Sequence, residues 1–379
     1  MGCNICRAAE LELKIPYNEI GDIKEIKEVV LDEKDYQENK NHNNFMSLLE
    51  ENLLNIGKII SQEQFDSVKP QNYTNTFLAD KSSYINNILK FDVGPIQFHD
   101  GGMYKGSWNS KANIEGEGEY YIKNDNIFIH GIWNDGDLKY ARLYFINGEI
   151  YEGEIRNFMF NGKGILISKE EKYEGEFKNN EKEGKGRLTY EDGVIYEGNF
   201  VNGEFKGKGV MTWNNEYQYD GEFKGANLSG MGKLRGPGGE IYEGQFENNL
   251  FDGHGKYTFG NGNIYEGEFK YGYKSGQGKL NVKNKYIFEG YWDNDLPNGN
   301  GTITTYDKSG VLKSIWRSGN IIAEPIYENG NKSNFMGIDL NIIPNDIKLY
   351  PTKLTHLDNN EIIDTQYKPR ETFPSYLND

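Results

Sequence analysis

The same short phrase returns about every 23 residues from Phe128 onward, and this repetition constrains the fold more than any other feature of the chain. The phrase reads aromatic-Glu-Gly-Glu-aromatic, as in Tyr173-Glu-Gly-Glu-Phe177. A Gly-X-Gly follows eleven and thirteen residues after each opening aromatic residue, as at Gly184 and Gly186. Repeats of this kind bury apolar side chains against their neighbours rather than in one central core. The repetition therefore argues against most enzyme folds.

Each repeat is predicted to form a β-hairpin. In the phrase, aromatic residues and glycine alternate with acidic or amide residues, which is the period of a strand with one apolar face. Runs such as Gly255-Lys-Tyr-Thr-Phe259 alternate likewise and end at turn dipeptides such as Asn261-Gly262. Glycine within a strand costs roughly 0.5–1 kcal/mol relative to alanine, so we expect a large ring from the adjacent unit to lie over it. The charged positions between are expected to form a solvated face.

The pattern Tyr-x-Gly-x-aromatic followed by Gly-x-Gly resembles the MORN repeat (membrane occupation and recognition nexus), over roughly residues 104–310. The nine units open at Tyr104, Phe128, Tyr151, Tyr173, Tyr196, Tyr219, Tyr242, Tyr265 and Phe288. The resemblance implies an all-β repeat array, a single-layer twisted antiparallel sheet of tandem β-hairpins curled into an open groove. One unit departs from the pattern, because Lys139 and Ala141 stand where its Gly-X-Gly should be. We expect a bend or bulge there.

Composition shifts divide the chain into four regions. They are an acylation signal and linker at 1–17, a helical or irregular region at 18–92, the repeat array at 96–318 and a proline-containing strap or tail at 319–379. Apolar residues at three- and four-residue steps predict an amphipathic helix over about 43–60, which packs on the array or caps its first strand rather than lying on a membrane. Ser61 with Gln64 predicts a capping box for a second short helix. Part of 335–365 is expected to lie as an extended strap over the groove or the last hairpin.

The N-terminus carries the candidate lipidation residues Gly2, Cys3 and Cys6. Removal of the initiator methionine would expose Gly2 for myristoylation, and the neighbouring thiols suit palmitoylation. One myristoyl chain anchors only marginally, and the first twenty residues contain only Arg7 and Lys14 as basic residues, so the second anchor would be an acyl chain on Cys3 or Cys6. The alternatives are incidental cysteines or a Cys3–Cys6 pair, which has no further cysteine to complete a metal site.

Charge and motif searches limit the other function classes. A formal net charge of −16 argues against nucleic-acid binding and against capture by anionic lipid headgroups, so phosphoinositide binding ranks below protein binding. Each Gly-X-Gly lacks the helix and the Lys-Ser/Thr that a phosphate cradle needs. The histidines are scattered without metal-ligand spacing, at His42, His99, His130, His254 and His356. We therefore predict no catalytic residues, no cofactor and no metal, and no run of apolar residues is long enough for a membrane span.

The resulting hypothesis is a non-catalytic, membrane-tethered scaffold or adaptor at the cytoplasmic face of a plasma, cortical, pellicular or ciliary membrane. Its partner would be another protein or a second copy of itself, held through the aromatic groove. The candidate groove residues are Trp108, Trp133, Tyr151, Tyr173, Phe177, Tyr196, Phe200, Tyr219, Phe223, Tyr242, Phe246, Tyr265, Phe269 and Trp292. The alternatives are a soluble structural component of cytoskeleton, cilium or axoneme, or a regulatory or phosphoinositide-binding module of a membrane lipid enzyme.

Overall fold

The computed structural model describes residues 57–77, 90–109, 111, 113–213, 216–329, 332–335 and 338. The chain divides into two compact units, with the boundary between Glu204 and Phe205. We call them the N-terminal unit and the C-terminal unit.

The N-terminal unit consists of short flanking elements followed by a run of antiparallel strands. Its elements are β1 (Gly57–Ile59), α1 (Gln62–Asp66), β2 (Phe91–Asp92), β3 (Ile96–Phe98), β4 (Met103–Trp108), β5 (Ile114–Ile122), β6 (Ile127–Asn134), β7 (Asp137–Tyr144), β8 (Ile150–Arg156), β9 (Met159–Ile167), β10 (Glu171–Lys178), β11 (Glu181–Tyr190) and β12 (Ile195–Val201). From β3 to β12 each strand pairs with the next. In addition, β1 pairs with β3 and β2 pairs with β4.

The C-terminal unit repeats the same ladder. Its elements are β13 (Glu204–Trp213), β14 (Tyr217–Lys224), β15 (Asn227–Arg235), β16 (Ile241–Glu247), β17 (Leu250–Thr258), β18 (Ile264–Lys270), β19 (Tyr273–Val282), β20 (Tyr286–Asp293), β21 (Leu296–Thr305), β22 (Val311–Arg317), β23 (Asn320–Ile321), β24 (Ile326–Asn329) and a 3₁₀ helix (Lys332–Phe335). Consecutive strands from β13 to β22 are antiparallel partners, and β22 also pairs with β23 and β24. The fold class, an open antiparallel sheet of tandem β-hairpins with very little helix, is thus confirmed.

The flanking helix begins where the sequence predicts it. The backbone N–H of Gln64 donates to the Ser61 hydroxyl at 3.2 Å, and the Gln64 side-chain oxygen accepts from the Ser61 N–H at 3.1 Å, which completes the capping box of α1. The predicted helix over 43–60 is wrong at residues 57–59, because β1 pairs there with the edge of β3 and backbone pairing overrides the helical spacing. The remainder of that prediction lies outside the described residues.

A tyrosine lies over a pair of glycines on one face of each regular hairpin, which we call the inner face. Gly175 of β10 and Gly186 of β11 are cross-strand partners, and a Cβ built on either would lie 2.4 Å from the hydroxyl oxygen of Tyr173. Only glycine fits beneath this ring. The expectation that the ring comes from an adjacent unit is wrong, since Tyr173 stands two residues before Gly175 in the same strand.

The inner-face rings of successive repeats meet edge to face in what we call the aromatic row. In the N-terminal unit, the ring centroid of Tyr173 lies 5.0 Å from that of Phe177 in its own repeat and 4.9 Å from that of Phe200 in the next. In the C-terminal unit, Tyr242 contacts Phe246 and Phe269 in the same manner. Each such pair contributes about 0.5–1.5 kcal/mol beyond area burial. The row therefore joins neighbouring repeats within each unit.

The second repeat opens one residue later than the sequence suggests. Gly131 pairs with Gly118 of the preceding strand and with Ala141 of the following one, so its inner-face opening residue is Ile129, which is fully buried. Successive side chains of a strand point to opposite faces, so Phe128 lies on the other face of the sheet, which we call the outer face. The sequence pattern predicts Phe128 as the opening residue. This prediction is wrong because apolar residues occupy both faces of β6, so alternation alone does not identify the inner face.

A β-bulge recurs after the central glycine of the hairpins, for example between Gly267 and Glu268. The Glu268 carboxylate then accepts the backbone N–H of Gln277 at 3.1 Å, so its side chain caps the bulge in addition to facing solvent. The bulge expected in the second repeat is present, between Ile132 and Trp133. It is a property of the repeat rather than of that unit alone.

The predicted C-terminal strap over 335–365 lies outside the described residues except at Phe335 and Ile338. The Phe335 ring is buried, lies 5.6 Å from the ring of Tyr327 in β24, and covers Gly310. This 3₁₀ helix therefore packs against the last strands of the C-terminal unit.

Candidate functional site

The fourteen aromatic residues predicted to line a partner-binding groove form the interior of the array. Each is at most 4% exposed in the chain by itself. They are Trp108, Trp133, Tyr151, Tyr173, Phe177, Tyr196, Phe200, Tyr219, Phe223, Tyr242, Phe246, Tyr265, Phe269 and Trp292. A role for them in contacting a partner stays a prediction, but the surface that a partner would meet first is made by other side chains.

In seven repeats the opening residue is a tyrosine whose hydroxyl makes a hydrogen bond that the sequence pattern did not predict. The hydroxyl of Tyr173 donates to the carbonyl of Glu176 at 2.9 Å, and the hydroxyl of Tyr242 donates to the carbonyl of Gln245 at 2.8 Å. Five other opening tyrosines make the same bond. The bond satisfies a carbonyl at the bulge, where the strand ladder is interrupted. The sequence does contain a signal for this bond: most units open with tyrosine, whereas the fifth position is mostly Phe or Trp.

Residues 57–77 cover the outer face of the first strands of the N-terminal unit, from β4 to β8. Phe65 of α1 is fully buried, with its ring centroid 6.2 Å from that of Phe128 on β6. Tyr73 packs edge to face on the same Phe128 ring at 5.3 Å and lies 5.9 Å from Tyr144. Met103, Tyr121 and Ile150 pack around this cluster. We call residues 57–77 the covering segment.

Charged groups beneath the covering segment form a buried polar network. The Arg142 guanidinium donates to the Glu152 carboxylate at 2.6 Å, and the Tyr140 hydroxyl donates to the other oxygen of that carboxylate at 2.8 Å. Arg142 also donates to the hydroxyl of Thr74 in the covering segment. Arg142 and Glu152 are 7% and 2% exposed, so removal of one partner would leave a buried charge.

Two further contacts tie the covering segment to the strands. The ammonium group of Lys69 lies 3.0 Å from the Glu119 carboxylate, which also accepts the Tyr73 hydroxyl. Burial and the nearby Glu119 carboxylate raise the pKa of Tyr73. The ring of Phe77 stacks on His130 at 4.4 Å. The outer face therefore binds a peptide segment through an apolar stripe and an adjacent row of charges.

The matching repeat positions of the C-terminal unit carry smaller side chains and exposed charges. Its stripe contains Ile241, Ile264 and Ile287, which are half-buried. In the adjacent row, the Lys279 ammonium group pairs with the Glu289 carboxylate at 2.7 Å, with both side chains about half exposed. This part of the outer face is thus accessible to another molecule.

The predicted lipidation residues Gly2, Cys3 and Cys6 lie outside the described residues. Within the part of the chain that the structure describes, no helix has the length and apolar character needed to cross a membrane. Among the same residues, no three His, Cys, Asp or Glu side chains come together as a metal site would require.

Hairpins that each close through the same tyrosine–glycine contact define this chain as a tandem β-hairpin repeat protein. The family model of the MORN repeat matches residues 173–195, 196–216, 219–241, 242–264, 265–280 and 288–309. The chain therefore contains six MORN repeats, and this resemblance is confirmed. MORN repeats are typical of protein-interaction modules. The hairpins that open at Tyr104 and Tyr151, before the matched region, make the same tyrosine hydroxyl bond.

Solved structures similar to this chain include two TCP domains from Drosophila melanogaster. The TCP10c domain of Sas-4 is 12% identical, with 52% of this chain and all of that chain covered and a TM-score of 0.25. The SAS-4 (dCPAP) TCP domain, in complex with a proline-rich motif of Ana2 (dSTIL), is 12% identical, with 66% and 99% covered and a TM-score of 0.18. No curated protein matches the chain.

Proposed function

We propose that this protein is a non-catalytic scaffold or adaptor that is tethered to the cytoplasmic face of a membrane and binds a protein partner on the outer face of its repeats. One observation carries the partner-binding part: the outer face of the N-terminal unit already holds a peptide, residues 57–77, through apolar and charged contacts. The buried aromatic row stabilises the array that presents this face. An interaction module of this kind requires no catalytic group.

The accessible stripe of the C-terminal unit is the partner site in this proposal. The residues Ile241, Ile264 and Ile287 stand at the repeat position that Phe128 and Ile150 occupy under the covering segment. A matching partner would place apolar side chains on the stripe and Lys or hydroxyl donors over the neighbouring carboxylates. The acidic net charge of −16 favours such a partner over a phosphoinositide.

Acylation of Gly2 and of Cys3 or Cys6 supplies the tether in this proposal. Its support is the N-terminal sequence, which places a glycine after the initiator methionine and beside two thiols, without a basic cluster. The test is the intact mass of the protein from its own cells, with membrane fractionation of the wild type, Gly2→Ala, and the Cys3→Ser/Cys6→Ser double variant. We expect one myristoyl group, hydroxylamine-sensitive additions, and loss of membrane attachment in both variants. An unmodified N-terminus in the soluble fraction would leave a soluble cytoskeletal or axonemal module.

The partner site is tested separately by a photo-crosslinking residue at Ile264. The control position is Ile146, an isoleucine that is 76% exposed in the turn after β7. We expect a defined adduct at position 264 that disappears when Ile287→Glu is added, and none at position 146. Equal adduct yields at both positions, or an adduct at position 264 whose yield Ile287→Glu does not change, would show that this stripe is not the partner site.

A further inference from the structure

The covering segment contacts the outer face of β4 to β8 as a bound peptide does. Of its large side chains, Ile60 and Phe65 are buried, and Phe65 is fully buried. The other residues of α1 are exposed, Tyr73 is half-buried, and residues 74–76 are exposed. Binding that depends on a few anchor side chains in an apolar pocket is typical of peptide recognition.

The segment begins as a strand added to the edge of the array. β1 (Gly57–Ile59) pairs antiparallel with β3, and the backbone N–H of Ile60 donates to the carbonyl of Pro95 at 2.9 Å. Strand addition holds a peptide by backbone hydrogen bonds, while pockets beside the strand select its side chains. A peptide on a separate chain can use the same contacts.

The charges of the segment and of the face are complementary. Arg142 of the array already pairs with Glu152, whereas Glu119 is paired with Lys69 of the covering segment, at 3.0 Å. The Lys69 ammonium group also lies 4.8 Å from the ring centroid of Tyr73. A ligand for this face therefore needs a basic residue close to its aromatic anchor.

The covering segment leaves part of this face exposed. Met103, Tyr121 and Ile150 pack around the buried cluster and stay half-buried. The Glu117 side chain, whose carboxylate lies 2.9 Å from Nε2 of His130, is 40% exposed. Apolar and acidic surface is thus left for a ligand that makes more contacts than the covering segment does.

The connection to the array favours the segment over a free peptide of equal quality. Residues 78–89 join it to the strands that it covers. A short tether gives an attached ligand an effective concentration on the order of millimolar at its own site. A separate peptide therefore displaces the segment only through additional contacts, and the half-buried side chains and Glu117 offer them.

We propose that the outer face of β4 to β8 is a second partner site, which the covering segment occupies until a peptide of another protein displaces it. That peptide adds a short strand to β3, places an aromatic ring where Phe65 lies, and directs a Lys or Arg side chain to Glu119. This inference goes beyond the proposed function, since it requires neither the stripe of the C-terminal unit nor the membrane tether.

A labelled synthetic peptide of residues 57–77 tests whether the site accepts a ligand on a separate chain. The peptide is titrated by fluorescence anisotropy onto the full chain, as wild type and as Phe65→Ala. We expect the Phe65→Ala chain, whose own segment is released, to bind the peptide at least about tenfold more tightly than the wild type. The matched control is the same peptide with Phe65→Ala, which should bind neither chain. Equal affinity of the two chains for the peptide, or equal binding of the two peptides, would overturn the proposal.

A second variant weakens the segment without removing its ring. Lys69→Glu places a negative charge against Glu119, so we expect unchanged β-sheet circular dichroism and tighter peptide binding than in the wild type. Peptide affinity that rises in neither variant would contradict occupation of the site by the segment.

Light scattering distinguishes another protein from a second copy. We expect the wild-type chain to remain monomeric. A wild-type dimer that Phe65→Ala abolishes would place the segment of a second copy in the site and would contradict its assignment to another protein. Crosslinking at Ile264 reports on the other unit, so the two partner sites succeed or fail separately.

Discussion

The two units have the same kind of inner face. On the outer face, strands β4 to β8 of the N-terminal unit differ from the strands of the C-terminal unit. Both contain the aromatic row, with rings about 5 Å apart in each. On the outer face, the N-terminal unit carries Phe128 under the covering segment, whereas the C-terminal unit carries half-buried Ile264 at the matching position. The repeat therefore specifies the scaffold, and the outer-face positions between repeat residues distinguish one region from another. Function is to be sought at those positions.

The largest expected effect is the loss of the covering segment. Phe65→Ala removes a fully buried ring, and such a change costs about 3–5 kcal/mol. We expect residues 57–77 and the strand that carries Phe128 to lose hydrogen-exchange protection. The matched control, Ile264→Ala, removes a half-buried side chain and should cost about 1 kcal/mol. Similar losses in both variants would mean that the two outer faces do not differ as described.

The second test compares buried and exposed carboxylates at the same repeat position. Glu152→Gln leaves the Arg142 charge buried, so we expect a loss of about 3 kcal/mol in the free energy of unfolding, measured with urea. Glu289→Gln breaks an exposed pair with Lys279 and should cost about 0–1 kcal/mol. Double-variant cycles with Arg142→Met and Lys279→Met then give the two pair energies. A larger pair energy for the exposed carboxylate would contradict the comparison.

Alkaline titration tests the feature that the units share. Burial raises the pKa of Tyr196 to about 12, against about 10 in an unfolded chain. Between these values the folded state keeps a proton that the unfolded state loses, so stability falls as pH rises. The slope is about 1.4 kcal/mol per pH unit for each such tyrosine. Urea unfolding across this window should show the decline, and Tyr196→Phe should reduce its slope. Stability that is constant above about pH 10 would contradict burial of the row.

The smallest expected effect concerns the helix cap of the covering segment. Ser61→Ala removes the hydroxyl that accepts the Gln64 N–H, and loss of such a cap costs about 1 kcal/mol. We expect faster amide exchange in α1 with unchanged exchange in the C-terminal unit. Ser61→Asp, which can still cap, serves as the control. Equal exchange in Ser61→Ala and Ser61→Asp would show that the cap does not help hold the segment.

The repeat spacing was sufficient to predict the hairpins, their turns and the apolar face. Both residues of the α1 capping box were also identified correctly. The register of the second repeat was not predicted correctly. Ile129 and Phe128 are both apolar, and only the pairing of Gly131 with Gly118 decides which of them lies on the inner face. A sequence pattern records alternation, but it does not say which of two apolar faces is the interior.

The candidate site shows the same limit. The aromatic residues were predicted as a surface for a partner, yet the rings of successive repeats, such as Tyr173 and Phe200, cover one another. The segment that does lie on an outer face, residues 57–77, has no repeat pattern. Its contacts join residues far apart in the chain, such as Lys69 with Glu119 and Thr74 with Arg142.

The sequence by itself determined the hairpin repeat, because alternation and glycine spacing are local properties of the chain. Only the tertiary structure decided which face of the second repeat is the interior, which carbonyl the tyrosine hydroxyl satisfies, and which outer face is covered. Those outcomes depend on contacts between strands and between the covering segment and the array. Such contacts are set by close packing and hydrogen bonding in three dimensions, and residue spacing along the chain does not record them.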